Sequence, residues 1–182
     1  PLDVALHGLK RGFSYGQKAD NLDMRLDRQQ RLTAANIINS FSEQQLYELF
    51  ARNAQELNSR AIAKAIVRAR SLSLISTVGD FLAVLKSVPG GKDEGLYRRL
   101  FQALHMEVNN ELGQIRAGLD GAMKCLKPDG AIIVISFHQM HEWAVKKFVR
   151  EHQIFMKKQS IKRTLLPFER SATLRVLSYA KI

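Results

Sequence analysis

One apolar run constrains the fold of this chain more than any other feature. Residues 131–137 read AIIVISF and follow the turn Lys127-Pro128-Asp129-Gly130. A continuous run of this length, rich in β-branched side chains, is typical of a strand that is buried on both faces of a parallel sheet. The run therefore predicts an α/β fold.

Helical patterns precede this strand. Residues 33–88 read as helical throughout, and Thr33 and Ser42 are suited to N-cap positions. The breaker Pro89-Gly90-Gly91 ends this region. After it, an apolar stripe at spacings of three and four residues predicts a long helical pattern from Leu96 to about Leu126. Gly113, Gly118 and Gly121 within it indicate close packing against a neighbour or a break in the helix.

The segments after the strand complete only part of a sheet. Residues 141–152 return to a helical pattern, and the alternation over residues 172–179 predicts a last strand. Helix, strand, helix and strand in this order make the carboxyl half of an α/β sheet. Because residues 33–88 supply no strands, we expect the others to lie elsewhere in a larger protein or on another chain.

The net charge indicates an anionic partner. Lys and Arg total 28 against 17 Asp and Glu, a formal net charge of +11. Residues 141–182 alone hold ten basic and three acidic side chains. A polyanion such as RNA would be drawn to this end first, although a solvated, lysine-rich surface is an equal alternative.

The cysteine and histidine content predicts no metal site. Cys125 is the only cysteine, so no internal disulfide can form and a reducing compartment is expected. It lies late on the apolar stripe, which predicts a buried thiol. His138 and His141 lack zinc-site spacing with the other histidines. No apolar run approaches the roughly 18 residues of a membrane span, so no membrane is expected as a partner.

The carboxyl end of strand 131–137 is the candidate site, because ligands bind at this end of the strands in open α/β sheets. Phe137 could stack on a base or a cofactor ring, while Ser136 and His138 could accept a proton or a hydrogen bond. In the alternative interpretation, Phe137 belongs to the core and His138 caps the following helix.

The segment 57–72 is the clearest amphipathic helix, with an apolar face that begins at Leu57. Arg60, Lys64 and Arg68 recur every four residues on the other side. This basic stripe either follows an RNA backbone or is a solvated face.

Seven segments resemble consecutive signature segments of the RsmH/MraW family, in the family's order and over nearly the whole chain. They are RGFSYG at 11–16, LDMRLD at 22–27, LTAANIIN at 32–39, RAIAKAIVRAR at 60–70, FQALHMEVNNEL at 101–112, LKPDGAIIVISFH at 126–138 and RSATLRV at 170–176. Members of this family are S-adenosylmethionine-dependent methyltransferases that act on the N4 atom of a cytidine in small-subunit ribosomal RNA. Their fold is a Rossmann-like sheet with an inserted helical domain.

This resemblance implies a domain organisation and a set of partners. Residues 1–17 would leave the methyltransferase core, residues 18–95 would form the helical insertion domain for substrate recognition, and residues 96–182 would form the carboxyl part of the core. The cofactor would be S-adenosylmethionine. The partners would be small-subunit ribosomal RNA, ribosomal or assembly proteins, and a second copy in a dimer, in the bacterial cytoplasm or the mitochondrial matrix.

The resemblance also implies site residues. Asp3, in LDVAL, matches a family aspartate that contacts the cofactor, and we expect it to be catalytic together with Ser136 and His138. Phe137 and Asp3 are the expected cofactor contacts. Arg11 and Arg25 are expected to contact RNA or the cofactor, or alternatively to pair with Asp23 or Asp27. The expected nucleic-acid contacts in full are Arg11, Arg25, Arg60, Lys64, Arg68, Lys157, Lys158, Lys162 and Arg163.

Several positions depart from the family pattern. The glycine-rich cofactor loop is not found in these residues, so we expect the chain alone to bind S-adenosylmethionine poorly. His105 replaces a family arginine, and the family's SFHSLEDR reads SFHQMHEW from Ser136. We therefore expect the loss of an acid–arginine pair beside the strand end. These changes leave two functions open: a cytosine-N4 methyltransferase, or an inactive homologue that acts as a ribosome-assembly or RNA-binding scaffold.

Overall fold

The computed structural model describes residues 10–159 and 172–179, without the side chains of residues 158 and 159. Seven helices and three strands are described. They are α1 (Ala34–Ser40), α2 (Glu43–Asn53), α3 (Ser59–Arg70), α4 (Val78–Leu85), α5 (Glu94–Val108), α6 (Glu111–Cys125), β1 (Ile132–Ser136), α7 (Gln139–Glu151), β2 (Phe155–Gln159) and β3 (Thr173–Ser178). The chain divides into two compact units, a helical unit over residues 1–109 and a mixed unit over residues 110–182.

The described part of the helical unit packs α1 to α5 around one apolar core, in which Phe50, Ile66, Phe81 and Leu100 are almost fully buried. The predicted N-caps are confirmed. The Thr33 and Ser42 side chains each accept a hydrogen bond from the backbone N–H three residues later, and each of these later residues bonds back to the cap. Such reciprocal capping fixes where a helix begins.

Helix α3 buries a narrower face than its sequence predicts. Ile62, Ala63 and Ile66 are buried, but Leu57 is 98% exposed. The helix begins at Ser59, so Leu57 precedes the first turn and does not share the helical periodicity of the apolar face.

The helical pattern over 96–126 divides into two helices, because α5 ends at Val108 and α6 begins at Glu111. The alternative of a break is confirmed, and the break lies before the three glycines. Asn110 adopts the left-handed conformation, with φ 47° and ψ 44°. The Asn109 side chain accepts a hydrogen bond from the Leu26 backbone N–H at 2.8 Å and donates one to the Met24 carbonyl at 2.9 Å. These bonds tie the end of α5 to the helical unit, which ends at Asn109.

The described sheet has three strands in the order β1-β3-β2, and β3 runs antiparallel to both neighbours. Among the described strands, β1 has only an antiparallel neighbour, and the parallel strands expected elsewhere remain a prediction. Strands β1 and β2 nevertheless run in the same direction, because both oppose β3, and α7 connects them. The strand over 172–179 is confirmed, whereas the sequence patterns did not predict β2.

Only one face of this sheet is covered by described helices. The apolar core of the mixed unit joins Leu119 of α6, Val145 and Phe148 of α7, and Leu177 of β3. On the opposite face, Ile133 is 65% exposed, so the predicted burial of β1 on both faces is not found. A β-branched run reports that a strand forms but not which neighbours cover it.

Two further observations concern the helices. Cys125 is the last residue of α6 and is exposed, so the expected buried thiol is wrong. No described helix combines the length and the apolar character that crossing a membrane requires.

Candidate active site at the end of strand β1

A cavity of about 380 Å³ lies where β1 ends and α7 begins. It combines an aromatic ring, a carboxylate, basic groups and a hydroxyl. The lining residues are Phe137, His138, Gln139, Glu142, Lys146, Thr173 and Arg175. The predicted position of the site at the carboxyl end of this strand therefore coincides with a cavity in the mixed unit.

His138 caps helix α7, as the alternative interpretation of this residue predicts. Its Nδ1 atom accepts a hydrogen bond from the Met140 backbone N–H at 3.2 Å. A ring nitrogen that accepts a hydrogen bond cannot itself carry a proton, so the neutral imidazole ring is protonated on Nε2. His138 therefore offers the cavity a hydrogen-bond donor while it satisfies the first turn of α7.

The surroundings of His138 favour this neutral form. Burial lowers the pKa of His138 below its usual 6.5, and the neighbouring His141 lowers it further, while the Glu111 carboxylate opposes the shift. The two histidine rings meet edge to face with their centres 5.6 Å apart. Glu111 Oε2 lies 2.6 Å from His141 Nε2, which joins the first turns of α6 and α7.

Glu142 lies at the centre of a polar network between the sheet and α7. Its Oε2 atom accepts a hydrogen bond from Arg175 Nη2 at 2.7 Å, and its Oε1 atom accepts one from the Ser136 hydroxyl at 2.6 Å. Ser136 is buried and does not line the cavity. Its hydroxyl therefore orients Glu142.

This network keeps Glu142 ionised. Burial alone would raise the pKa of the carboxyl, but the hydrogen bonds from Arg175 and Ser136 outweigh burial and lower the pKa below its usual value of 4.5. The cavity wall therefore presents a permanent carboxylate at neutral pH.

An acid–arginine pair lies beside the strand end, with Glu142 on α7 and Arg175 on β3 as its members. It differs from the pair that the resemblance implies to be lost, because Trp143 stands in place of that arginine. The sequence comparison missed the pair of Glu142 and Arg175 because the two residues are 33 positions apart and the pairing register of β3 brings them together.

Phe137 follows β1 directly and is 54% exposed, so the alternative that places it in the core is wrong. Its ring forms part of the cavity wall. An exposed aromatic ring at a strand end is available for stacking on a planar ligand.

Five cavity residues were missed by the sequence analysis: Gln139, Glu142, Lys146, Thr173 and Arg175. Arg175 left a signal, because a buried charge within an alternating apolar strand requires an acidic partner. Glu142 left a weaker one, as an acidic residue in the first turn of a helix that follows a strand. Lys146 and Thr173 left none.

The predicted basic contacts are dispersed over the structure. Arg25 forms the alternative salt bridge, with its Nε atom 2.7 Å from Asp23 Oδ1, and it also donates to the Gln30 carbonyl. Arg60 lies over the Tyr47 ring at 4.8 Å, whereas Lys64 and Arg68 line a groove beside α4. All three members of the basic stripe are exposed on α3.

Arg11 differs from these residues. Its Nε and Nη1 atoms are buried and have no hydrogen-bond partner among the described residues, and its guanidinium lies 5.5 Å from the centre of the Phe13 ring. A buried donor without an acceptor costs about 1–3 kcal/mol. Such a group is suited to receive an anion.

The remaining predicted residues are only partly described. Lys157 is exposed on β2. Asp3, the Lys158 side chain, Lys162 and Arg163 lie outside the described residues. Within the described part of the chain, no three histidine, cysteine or acidic side chains converge as metal ligands would.

Comparison with known proteins identifies the family. The family model described as the MraW methylase family matches residues 3–179. The chain belongs to the MraW methylase family. The match extends from the helical unit through the strand-end cavity to the last strand, so both units are part of the family's sequence.

Curated relatives of this MraW-family chain carry the name "Ribosomal RNA small subunit methyltransferase H". The protein from Phocaeicola vulgatus is 38% identical over 146 residues, which are 80% of this chain and 48% of the relative. The protein from Chlorobaculum parvum is 41% identical over 140 residues, 76% of this chain and 44% of the relative. The chain spans about half the length of the curated relatives it matches.

Proposed function

We propose that the protein containing this chain transfers a methyl group from S-adenosylmethionine to the N4 atom of a cytidine in small-subunit ribosomal RNA. The observation that carries this proposal is the match to the MraW methylase family over residues 3–179. The relatives' name indicates the class of RNA, and the strand-end cavity provides a place for the target base.

The reaction sets clear requirements. The lone pair of the N4 amine is delocalised into the ring, so the amine is a poor nucleophile. The base must leave its stack, the amine must align with the methyl group, and an acceptor must take the departing proton. The bound cofactor supplies the electrophilic methyl group.

Phe137 meets the first requirement. Its exposed ring in the cavity wall stacks on the extruded base, as aromatic side chains do in base-specific RNA sites. A volume of about 380 Å³ lies within the range of small-ligand sites.

The polar groups of the cavity meet the two remaining requirements, which are alignment of the amine and acceptance of its proton. His138 donates from Nε2 to an acceptor on the base, since its Nδ1 atom is engaged by α7. This tautomer makes His138 an orienting donor instead of the proton acceptor that the sequence allowed. Glu142 is the ionised group of the cavity, and its spare lone pairs accept the amine proton. Ser136 and Arg175 hold Glu142 in position.

The described residues fit only part of a cofactor site. No glycine-rich loop follows a strand in residues 10–159 or 172–179, so the glycine contacts typical of a phosphate or nucleotide cradle are not among them. The unpaired nitrogens of Arg11 fit an anionic group of the cofactor or of RNA. Asp3 remains the proposed cofactor contact outside the described residues.

A methylation assay tests this function. Purified protein is incubated with tritium-labelled S-adenosylmethionine and small ribosomal subunits that lack the modification, and the nucleosides are then separated. We expect the label in N4-methylcytidine. Label in another nucleoside, or none from a protein that binds the cofactor, would contradict the proposal. Absence of calorimetric heat with S-adenosylmethionine would favour the scaffold function instead.

A pair of variants connects the activity to the cavity. Phe137→Ala should lower methylation about ten-fold or more because stacking is lost, since stacking on an aromatic side chain contributes about 1–3 kcal/mol per base. Phe137→Tyr keeps the ring and should retain activity. Equal activity of the two variants would show that the Phe137 ring does not stack on the target base.

We place the protein in the bacterial cytoplasm with its ribosomal substrate, because the curated relatives are bacterial. The mitochondrial matrix finds no support among them. Dimer formation and ribosomal protein partners remain predictions.

A further inference from the structure

A groove on the helical unit, separate from the strand-end cavity, has no role in the proposed reaction. It lies between α3 and the end of α4 and has a volume of about 630 Å³. Its floor is aliphatic, with Ala65, Ala69, Val84 and Val88 among the lining residues. Leu72, at the end beyond α3, is 86% exposed.

Two cations stand beside this aliphatic floor. Lys64 and Arg68 line the groove from α3, one helical turn apart. Neither has a carboxylate partner among the described residues. Arg60, one turn earlier, is held over Tyr47 and does not line the groove, so the positive charge at the groove comes from two adjacent positions.

The lining decides which class of partner fits. RNA bases bind single-stranded sites by stacking on aromatic rings, and no aromatic side chain lines this groove. An RNA backbone would gain nothing from an aliphatic floor. An amphipathic helix gains from an aliphatic floor, because it buries its apolar face in such a groove and leaves its charged edge at the rim.

We infer that the groove between α3 and α4 docks an amphipathic α-helix of a protein partner. Aliphatic side chains of that helix lie on the alanine and valine floor, and two carboxylates one turn apart pair with Lys64 and Arg68. This inference concerns a surface of the helical unit and does not depend on methyl transfer.

A synthetic helical peptide tests the inference with the full chain. The labelled probe carries leucines along one face and two glutamates, one turn apart, at the edge of that face. A matched peptide has lysines in place of the two glutamates. In fluorescence anisotropy we expect saturable binding of the acidic peptide and at least about ten-fold weaker binding of the basic one.

Charge exchange makes the test specific. The double variant Lys64→Glu/Arg68→Glu should reverse the preference, so that the basic peptide binds and the acidic one does not. Arg60→Glu, which makes the same change on the same helix outside the groove, should leave the preference unchanged. Circular dichroism confirms that each variant keeps its helices.

A variant that fills the groove distinguishes peptide binding in the groove from RNA binding. Ala83 is exposed and lines the groove, so Ala83→Trp should weaken acidic peptide binding about ten-fold and leave the affinity for a single-stranded RNA oligonucleotide unchanged. Three results would overturn the inference: no saturation by the acidic peptide at about 1 mM, no reversal in the double variant, or loss of RNA affinity in Ala83→Trp.

Discussion

At the scale of single residues, Glu142 and Arg175 decide the character of the candidate site. Their side chains are only 14% and 11% exposed, and they are in contact at 2.7 Å. A buried ion pair adds little net stability compared with apolar residues, but removal of one partner leaves the other charge buried and unpaired. The pair therefore acts mainly to hold a carboxylate at one point of the cavity wall.

Glu142→Gln should destabilise the mixed unit by about 2–3 kcal/mol, because Arg175 then loses its charged partner. The single tryptophan, Trp143, is on α7 and reports urea unfolding of this unit by fluorescence. Glu151→Gln is the matched control. Glu151 pairs with Arg116 on the surface, and its loss should cost less than about 0.5 kcal/mol. Equal losses for the two variants would show that the buried pair has no special role.

His138 should make the mixed unit less stable in mild acid. The folded state lowers the pKa of His138 below 6.5, so the unfolded state binds the proton more readily. The associated stability is therefore present above pH 6.5 and is lost as the pH falls through the lower folded value. Besides burial, two neighbouring groups act on the pKa of His138: His141 lowers it further, and Glu111 opposes the shift.

The variant His138→Asn isolates this contribution, because asparagine is also a good N-cap but does not titrate. We expect similar urea midpoints for the two proteins at pH 7.5 and a smaller loss in the variant at pH 5.5. If both proteins lose the same stability on acidification, another group causes the loss.

At the scale of elements, the boundary between α5 and α6 depends on a conformation that the apolar stripe does not encode. The stripe of residues at spacings of three and four continues through Asn109 and Asn110, which explains why the sequence predicts one long helical pattern. Asn110 breaks the helix by adopting φ 47°, which asparagine tolerates better than most residues. Helical periodicity shows which side chains face a core. Two successive helices can continue the same three- and four-residue spacing, so the spacing alone does not reveal the break between them.

Asn110 gives a direct test of this explanation. Asn110→Ala should destabilise the mixed unit by about 1–2 kcal/mol, because a Cβ without a compensating polar group disfavours the left-handed region. Asn110→Gly should be neutral within about 0.5 kcal/mol, since glycine adopts that region freely. Urea unfolding followed by Trp143 fluorescence measures both. A neutral Asn110→Ala would contradict a left-handed residue at the break.

Local sequence patterns located two of the three described strands but not their order in the sheet. The run AIIVISF and the alternation after residue 172 located β1 and β3. The sequence had no signal for β2, whose residues FMKKQ include two lysines. Nor did it reveal that β3 returns between β1 and β2, because register and strand order depend on contacts between distant residues.

At the scale of the whole molecule, the net charge of +11 is concentrated in residues 141–182. The basic residues fall into two groups with different proposed roles. The proposed docking groove assigns Lys64 and Arg68 to a protein partner, while the late basic residues remain predicted RNA contacts.

Charge reversal at Lys157, Lys158, Lys162 and Arg163 should weaken RNA binding and flatten its dependence on salt. Each phosphate contact with a single strand contributes about 0.7 to the slope of log affinity against log salt, so the slope should fall by up to about 3. The variant Lys64→Glu/Arg68→Glu should leave the slope unchanged. Binding measured between low and moderate salt checks both, and an unchanged slope in the first variant would make that cluster a solvated surface.

The sequence by itself determined the family, most helix positions and their caps, and it predicted a site at the end of β1, where a cavity lies. These properties depend on local periodicity, on hydrogen bonds within one turn and on ordered motifs, which are all encoded by neighbouring residues. The tertiary structure decided that Arg175 supports Glu142, that Phe137 is exposed, that β3 separates β1 from β2, and that Lys64 and Arg68 border a groove. Each of these results depends on residues far apart in the chain, whose approach is set by packing and strand register rather than by local pattern.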